Sequence, residues 1–220
     1  SSNIDTNSFK TSTLDSIRAL RLIRAYRVNG HLIADLDPLK LHEKIYHPEL
    51  NYKSYGFNEN DLDRLIFIDG SLGLEKATLR EIIDILKETY ASSIGVEFLH
   101  IQSPEQKQWV QERIEEVHNK TNFTIEGKKG IFQRLVESEL FEQYLDKKFL
   151  GTKRYGIEGG ESMIPGIEQI VKQSCLAGVE NIFFGTAHRG RLTLLTTVLG
   201  MPYRGILSKF QGNINDPNEV

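Results

Sequence analysis

The sequence predicts an α/β protein in which a mainly helical region is followed by the start of an αβα domain. Up to Gly151, most of the predicted elements are amphipathic helices, with apolar residues at three-to-four-residue spacing. After Gly151 come a glycine-rich loop, a helical pattern, a short apolar run and another helical pattern, which is how a sheet flanked by helices begins. We therefore divide the chain into a polar tail (1–13), a helical region (14–125) and the start of an α/β domain (126–220).

Composition excludes several classes of protein. The chain has 220 residues, of which 39% are hydrophobic and 26% charged, as in ordinary globular proteins. A net charge of −3 gives no reason to expect a nucleic-acid partner. The apolar stretches are far shorter than the roughly 20 residues that span a bilayer, so we expect no membrane partner. The single cysteine, Cys175, excludes an internal disulfide, and its spacing predicts a core position on a helix.

The helical pattern resolves into separate elements with identifiable starts and stops. Thr78 and Ser103 are predicted N-caps, the latter with Gln106 in a capping box, and Gly30 is a predicted stop. The predicted helices run from about Leu14 to Asn29, from Thr78 to Tyr90, from Ser103 to near His118, and from Lys128 to Phe149 with Phe132, Leu135, Leu140, Tyr144 and Leu145 inward. An arginine at every third position from Arg18 to Arg27 indicates a solvated face, or less directly a partner surface.

The region after Gly151 is predicted to alternate helix and strand. The apolar run from Ile182 to Thr186 predicts a buried strand. Helices are predicted on both sides of it, over about Glu161 to Ala177, Gly190 to Leu199 and Tyr203 to Phe210.

His188 follows the predicted strand directly, in the segment AHRGRL. In open α/β sheets, ligands bind outside the carboxyl ends of the strands. The start of the predicted helix would favour a neutral, hydrogen-bonding imidazole. The alternative is a structural histidine bonded to a carbonyl. Arg189 and Arg191 have two possible roles: they bind an anion, or they tie loops together through carbonyls and carboxylates.

Arg154 precedes a glycine pair in the segment RYGIEGG. Its guanidinium offers a planar fork that matches phosphate oxygens, whereas the alternative is a surface salt bridge to Glu158 or Glu161. Gly159 and Gly160 match neither the P-loop nor the dinucleotide-binding spacing, and are expected to permit close backbone approach.

Longer blocks of the chain resemble a known enzyme family. KRYGIEGGESMIPGIEQ, NIFFGTAHRGRLTLL and RAYRVNGHLIADLDPL resemble the E1 components of 2-oxoglutarate dehydrogenase complexes, which are thiamine-diphosphate enzymes. The resemblance covers residues 14 to 213, and the GHLIADLDPL and AHRGRL blocks are long enough to be specific. It implies that residues 126–220 begin the diphosphate-binding domain.

The resemblance also implies an activity, partners and residue roles. The family decarboxylates 2-oxoglutarate on thiamine diphosphate in the tricarboxylic acid cycle and passes the succinyl group to the lipoyl arm of E2, the dihydrolipoyl succinyltransferase. His188 would be the catalytic, substrate-side histidine and Arg154 would lie near the cofactor diphosphate. Full-length members are dimers, and the compartment would be the bacterial cytoplasm or the mitochondrial matrix.

The chain departs from the family pattern at the metal site. The family holds Mg²⁺ through a Gly-Asp-Gly motif followed by an Asn, whereas the Asp69-Gly70 pair of this chain lies in the wrong region. We therefore assign no metal ligand here and expect those ligands, and the second thiamine domain, outside an N-terminal fragment that is inactive alone. The alternatives are a relative acting on 2-oxoadipate, a plain 2-oxoglutarate decarboxylase, and a stand-alone binding module.

Overall fold

A computed structural model describes residues 6–41, 43 and 45–210, without the side chains of residues 6–8 and 209. Over these residues the chain is mainly helical, with one two-stranded sheet. The elements are α1 (Thr6–Asn29), β1 (Leu65–Phe67), β2 (Lys76–Thr78), α2 (Leu79–Tyr90), α3 (Pro104–Glu116), α4 (Ile125–Lys148), α5 (Met163–Leu176), α6 (Arg191–Thr193) and α7 (Tyr203–Phe210). Short 3₁₀ turns join the elements between α1 and α2. The chain divides into two units, residues 1–122 and 123–220.

The first unit is built around the packing of α1 on α2. Both helices turn an apolar stripe inward, and β1 pairs with β2 in antiparallel register beside them, with Ile66 opposite Ala77. The largest fully buried side chains of this core include Leu22, Ile23, Tyr26, Ile82, Leu86 and Tyr90. Removal of these side chains from water is the main stabilising contribution in this unit.

Helix α1 begins earlier than the sequence predicts and ends where the sequence predicts. It starts at Thr6, inside the expected polar tail, and stops at Asn29. A Cβ atom on Gly30 would lie 2.6 Å from the Cβ of Tyr90, so glycine lets the end of α1 approach α2 closely.

The predicted cap of α2 is confirmed. The Thr78 side chain accepts a hydrogen bond from the backbone N–H of Glu81 at 3.2 Å, and the Glu81 carboxylate accepts one from the backbone N–H of Thr78 at 2.8 Å. Ser103 caps α3 by accepting from the backbone N–H of Gln106 at 3.3 Å. These bonds satisfy N–H groups that the first helical turn leaves free.

A buried charged network joins the three helices of the first unit. The Glu115 carboxylate of α3 accepts hydrogen bonds from Arg27 Nε at 2.7 Å, Arg27 Nη2 at 3.0 Å and the Tyr90 hydroxyl at 2.6 Å. Burial and this carboxylate raise the pKa of the Tyr90 hydroxyl, which therefore stays a donor. Arg27 thus departs from the solvated face predicted for its row of arginines.

The second unit has a smaller core. Phe141 and Leu145 of α4 pack with Ile206 of α7, and the rings of Phe149 and Phe210 stack with centroids 4.9 Å apart. Leu145 is fully buried as predicted. The prediction was wrong for three other α4 residues, which are exposed: Phe132, Leu140 and Tyr144. Helical spacing marks apolar residues but does not say what covers them.

The predicted strand over Ile182 to Thr186 is not formed. These residues have no regular structure, and 95% of the Phe183 side chain is exposed. A strand requires a neighbouring strand to complete its hydrogen bonds, and no described residue pairs with this run. The prediction of a buried Cys175 was also wrong, since it is exposed on α5. The αβα arrangement is therefore not present among the described residues.

None of the described helices combines the length and apolar character required to cross a membrane.

Candidate functional site

Two segments singled out from the sequence lie against each other in the second unit. We call residues 154–160 the arginine loop and residues 187–193 the histidine loop. The backbone N–H of Gly190 donates to the Tyr155 carbonyl at 2.9 Å, and Arg189 Nη2 donates to the Glu158 carbonyl at 2.5 Å. The latter bond confirms that at least one arginine of AHRGRL ties loops together. The candidate site is therefore built from two loops rather than from a strand end.

Gly190 is required for the close approach of the two loops. Its φ is +70°, a conformation that side chains rarely adopt. A Cβ atom there would lie 2.9 Å from Cδ1 of Ile157, which is itself only 2% exposed. The glycine thus allows the buried isoleucine of the arginine loop to pack under the histidine loop.

His188 is exposed on the histidine loop. Its ring stacks on Tyr155, with centroids 5.2 Å apart and an interplanar angle of 26°. The helix that follows, α6, has only three α-helical residues before it widens into a π-helical turn over Leu194–Val198.

Arg154 lies in an acidic pocket beside α4. Its side chain is 16% exposed and forms an ion pair with Asp146, rather than with the predicted Glu158 or Glu161. Its Nε is buried and has no hydrogen-bond partner among the described residues. A cavity of about 390 Å³ adjoins it, lined by Glu139, Glu142, Gln143, Asp146, Arg154, Glu158 and Glu161.

The pocket offers an anion one donor and several opposing charges. The free Nε of Arg154 is a hydrogen-bond donor that an anionic oxygen could satisfy. Carboxylates outnumber this arginine in the lining, and Asp146 already pairs with its Nη2, so an incoming anion would compete with Asp146 for the guanidinium. A phosphate oxygen could therefore bind Arg154 if it took the place of Asp146, whose side chain is 64% exposed.

Glu142 is the residue that sequence reasoning missed. It lies on α4 between Phe141 and Leu145, is 4% exposed, and accepts a hydrogen bond from Thr193 Oγ1. The backbone N–H of Ile157 also stabilises its carboxylate. Burial raises the pKa of Glu142 above its ordinary value, and the Thr193 hydroxyl and the Ile157 backbone N–H oppose the rise. The sequence signal was a carboxylate within the inward stripe of a helix.

Comparison with known proteins relates this sequence to 2-oxoglutarate dehydrogenase E1 components. The chain is 54% identical to the "2-oxoglutarate dehydrogenase E1 component" of Brucella anthropi over 207 residues, and 53% identical to those of Brucella canis and Brucella suis. The chain is homologous to one part of these E1 components. The match takes 94% of this chain, and the chain spans 21% of the length of each relative. No family model matches the sequence.

The shared stretch with the E1 components includes the whole candidate site. Because 207 of the 220 residues are aligned, the aligned stretch must include the arginine loop, the histidine loop and Glu142 on α4. Both loops and Glu142 therefore belong to the part of the chain that resembles these E1 components.

Proposed function

We propose that this chain is the N-terminal part of a 2-oxoglutarate dehydrogenase E1 component. The whole protein would decarboxylate 2-oxoglutarate on thiamine diphosphate and transfer the succinyl group to the lipoyl arm of its E2 partner. The observation that carries the proposal is an identity of 53–54% over a stretch that includes both loops of the candidate site. The hydrogen bonds between the loops support a shared role for them.

Arg154 is the residue we propose for the cofactor diphosphate. Its buried, unpartnered Nε can donate to a phosphate oxygen once the exposed Asp146 gives way. Thiamine diphosphate, when bound, supplies the carbanion chemistry of decarboxylation. The contribution of Arg154 is a fixed positive charge that holds and orients the phosphate end.

His188 is the residue we propose for the substrate. Its ring is exposed, and no side-chain hydrogen bond from a described residue occupies either ring nitrogen. Stacking on Tyr155 fixes the plane of the ring but leaves its edge available to a polar ligand. The imidazole can therefore hydrogen-bond the oxo or carboxylate oxygens of a 2-oxo acid.

The remaining parts of the active site are proposed to lie outside these 220 residues. They are the Mg²⁺ ligands, the second thiamine domain and the strands that would cover Ile182 to Thr186. The exposure of Phe183 supports missing strands, since such a side chain is normally buried in a sheet. We further propose a homodimer in the bacterial cytoplasm or mitochondrial matrix, and no activity for this segment alone.

The activity is tested on the full-length protein. With thiamine diphosphate and Mg²⁺ it should release CO₂ from 2-oxoglutarate and succinylate the E2 lipoyl group, while the 220-residue chain should do neither. A clear preference for 2-oxoadipate would instead indicate a 2-oxoadipate dehydrogenase. Release of free succinic semialdehyde as the main product would indicate a plain 2-oxoglutarate decarboxylase. Turnover by the 220-residue chain would refute its proposed inactivity.

The residue roles are tested by a pair of variants in the full-length protein. His188→Ala should lower kcat by on the order of 100-fold, as loss of a positioned polar group does, with cofactor Kd nearly unchanged. Arg154→Ala should instead raise the cofactor Kd most. A raised cofactor Kd in His188→Ala with normal turnover at saturation would contradict the substrate role.

A further inference from the structure

Glu142 is connected to both loops of the candidate site. Its carboxylate accepts the Thr193 hydroxyl hydrogen bond from the histidine loop, and the backbone N–H of Ile157 from the arginine loop also stabilises it. It lies on α4, a helix of 24 residues, whereas both loops lack a strand or a long helix of their own. Its position on a long helix makes it a fixed point for two irregular segments.

We propose that Glu142 is a positioning residue that couples the arginine loop to the histidine loop and so fixes Arg154 and His188 in one arrangement. This inference rests on the proposed function. Glu142 need not touch substrate or cofactor, because it acts through the backbone at Ile157 and through Thr193.

The burial of Glu142 supports a role beyond filling space. A carboxylate that is 4% exposed is costly to keep charged, and an apolar side chain would fill the same volume without that cost. The groups that stabilise its carboxylate come from two loops that are far apart in sequence but joined in space. Nearby charges have opposing effects, since Arg154 favours the carboxylate and Glu158 disfavours it.

The hydrogen bonds between the two loops do not by themselves fix the loops to α4. Gly190 and Arg189 hold the histidine loop to backbone carbonyls at Tyr155 and Glu158. These bonds join the two loops to each other but not to α4. The Arg154–Asp146 ion pair and the packing of Leu192 against the Phe141, Leu145 and Ile206 cluster also attach the loops to α4. Glu142 adds a buried contact to these attachments, which suits a site that must orient a substrate.

The test uses the full-length protein and four variants. Glu142→Ala removes both contacts, Glu142→Gln keeps one acceptor oxygen, and Thr193→Val removes one donor. Glu126→Gln is the matched control, because Glu126 is an exposed residue in the first turn of the same helix. The measurements are amide hydrogen exchange in both loops, cofactor Kd, and kcat and KM for 2-oxoglutarate.

Positioning predicts a specific set of results. Glu142→Ala should accelerate amide exchange in both loops and lower kcat at least tenfold at saturating cofactor. Glu142→Gln should recover part of that loss. Thr193→Val should accelerate exchange chiefly in the histidine loop. In a double variant it should add little to the effect of Glu142→Ala, because both changes break the same Thr193–Glu142 hydrogen bond. Glu126→Gln should match wild type.

The outcomes separate the two proposals. Wild-type exchange and kcat in Glu142→Ala would overturn the positioning role. If Glu142→Ala does not fold, then normal exchange and kcat in both Glu142→Gln and Thr193→Val would overturn it. A folded wild-type protein without turnover of 2-oxoglutarate would refute the proposed function, whereas the exchange data would still decide whether Glu142 couples the loops.

Discussion

Arg154 shows how the role of one residue depends on its nearest partner. The sequence predicted an anion ligand or a salt bridge within the same loop. The structure gives a salt bridge to Asp146 on α4 and leaves Nε without a partner. Asp146 and an incoming anion thus compete for the same guanidinium, so removal of the Asp146 charge should change the affinity for the anion.

Asp146→Asn in the full-length protein should strengthen cofactor binding. Removing the competing carboxylate frees the guanidinium, and since exposed pairs contribute up to about 1 kcal/mol, Kd should fall by up to about fivefold. Isothermal titration calorimetry with thiamine diphosphate and Mg²⁺ measures it. Asp63→Asn, which removes the partner of Arg80, is the control and should leave Kd unchanged. A higher Kd in Asp146→Asn would show that Asp146 positions Arg154 instead.

Glu142 gives stability of the second unit a pH dependence with a definite sign. Its pKa is raised in the folded state, so the native chain binds more protons than the unfolded chain between the ordinary and the raised pKa. Its contribution to folding is complete below its ordinary pKa and is lost as pH rises through the raised pKa.

Glu142→Gln should therefore gain stability relative to wild type as pH rises through the raised pKa of Glu142, because glutamine does not ionise. Urea unfolding of the 220-residue chain at several pH values gives the difference in free energy of unfolding. Glu126→Gln, at an exposed position of the same helix, is the control and should show no such pH-dependent difference from wild type. A difference between Glu142→Gln and wild type that does not vary with pH would contradict the raised pKa.

The candidate site was predictable from the sequence in part. The sequence singled out both loops as candidate binding segments, and the structure joins them by hydrogen bonds. Glu142 was missed because a glutamate on a helix ordinarily lies in solvent, and no local pattern reveals that Thr193, distant in sequence, supplies its hydrogen bond. The roles of His188 and Arg154 stay predictions.

At the scale of elements, Gly190 holds the histidine loop against the arginine loop. Gly190→Ala should destabilise the second unit by about 2–4 kcal/mol, since it adds strain at positive φ to a clash with Ile157. Gly178→Ala is the matched control: its φ is +86°, but nothing lies near the added Cβ atom, so strain alone should cost about 1–2 kcal/mol. Equal losses in chemical denaturation would show that the contact with Ile157 relaxes freely.

The predicted elements succeeded where their signals were local. The caps at Thr78 and Ser103 are decided within four residues, and the structure confirms both helix starts. The strand over Ile182 to Thr186 failed because a strand depends on a partner elsewhere in the chain. The prediction that Cys175 is buried was wrong for the same reason, because a helical side chain is buried only where another part of the chain packs against it.

At the scale of the whole molecule, the two units should differ in protection. The core of the first unit should retain its amide protons longest. Residues 180–187 should exchange at nearly unprotected rates, because they share no backbone hydrogen bond with any described residue. Hydrogen exchange with mass spectrometry on the 220-residue chain tests this. In the full-length protein the same segment should become protected, and continued rapid exchange there would contradict the proposed sheet.

The exposure of Phe183 leads us to expect self-association of this chain at high concentration. A bare apolar run with open backbone N–H and C=O groups can pair with the same run on another molecule. Association of that kind follows mass action, so light scattering should increase with protein concentration and decrease when Phe183 is replaced by lysine. We therefore expect Phe183 to promote self-association of the isolated segment through its exposed apolar surface.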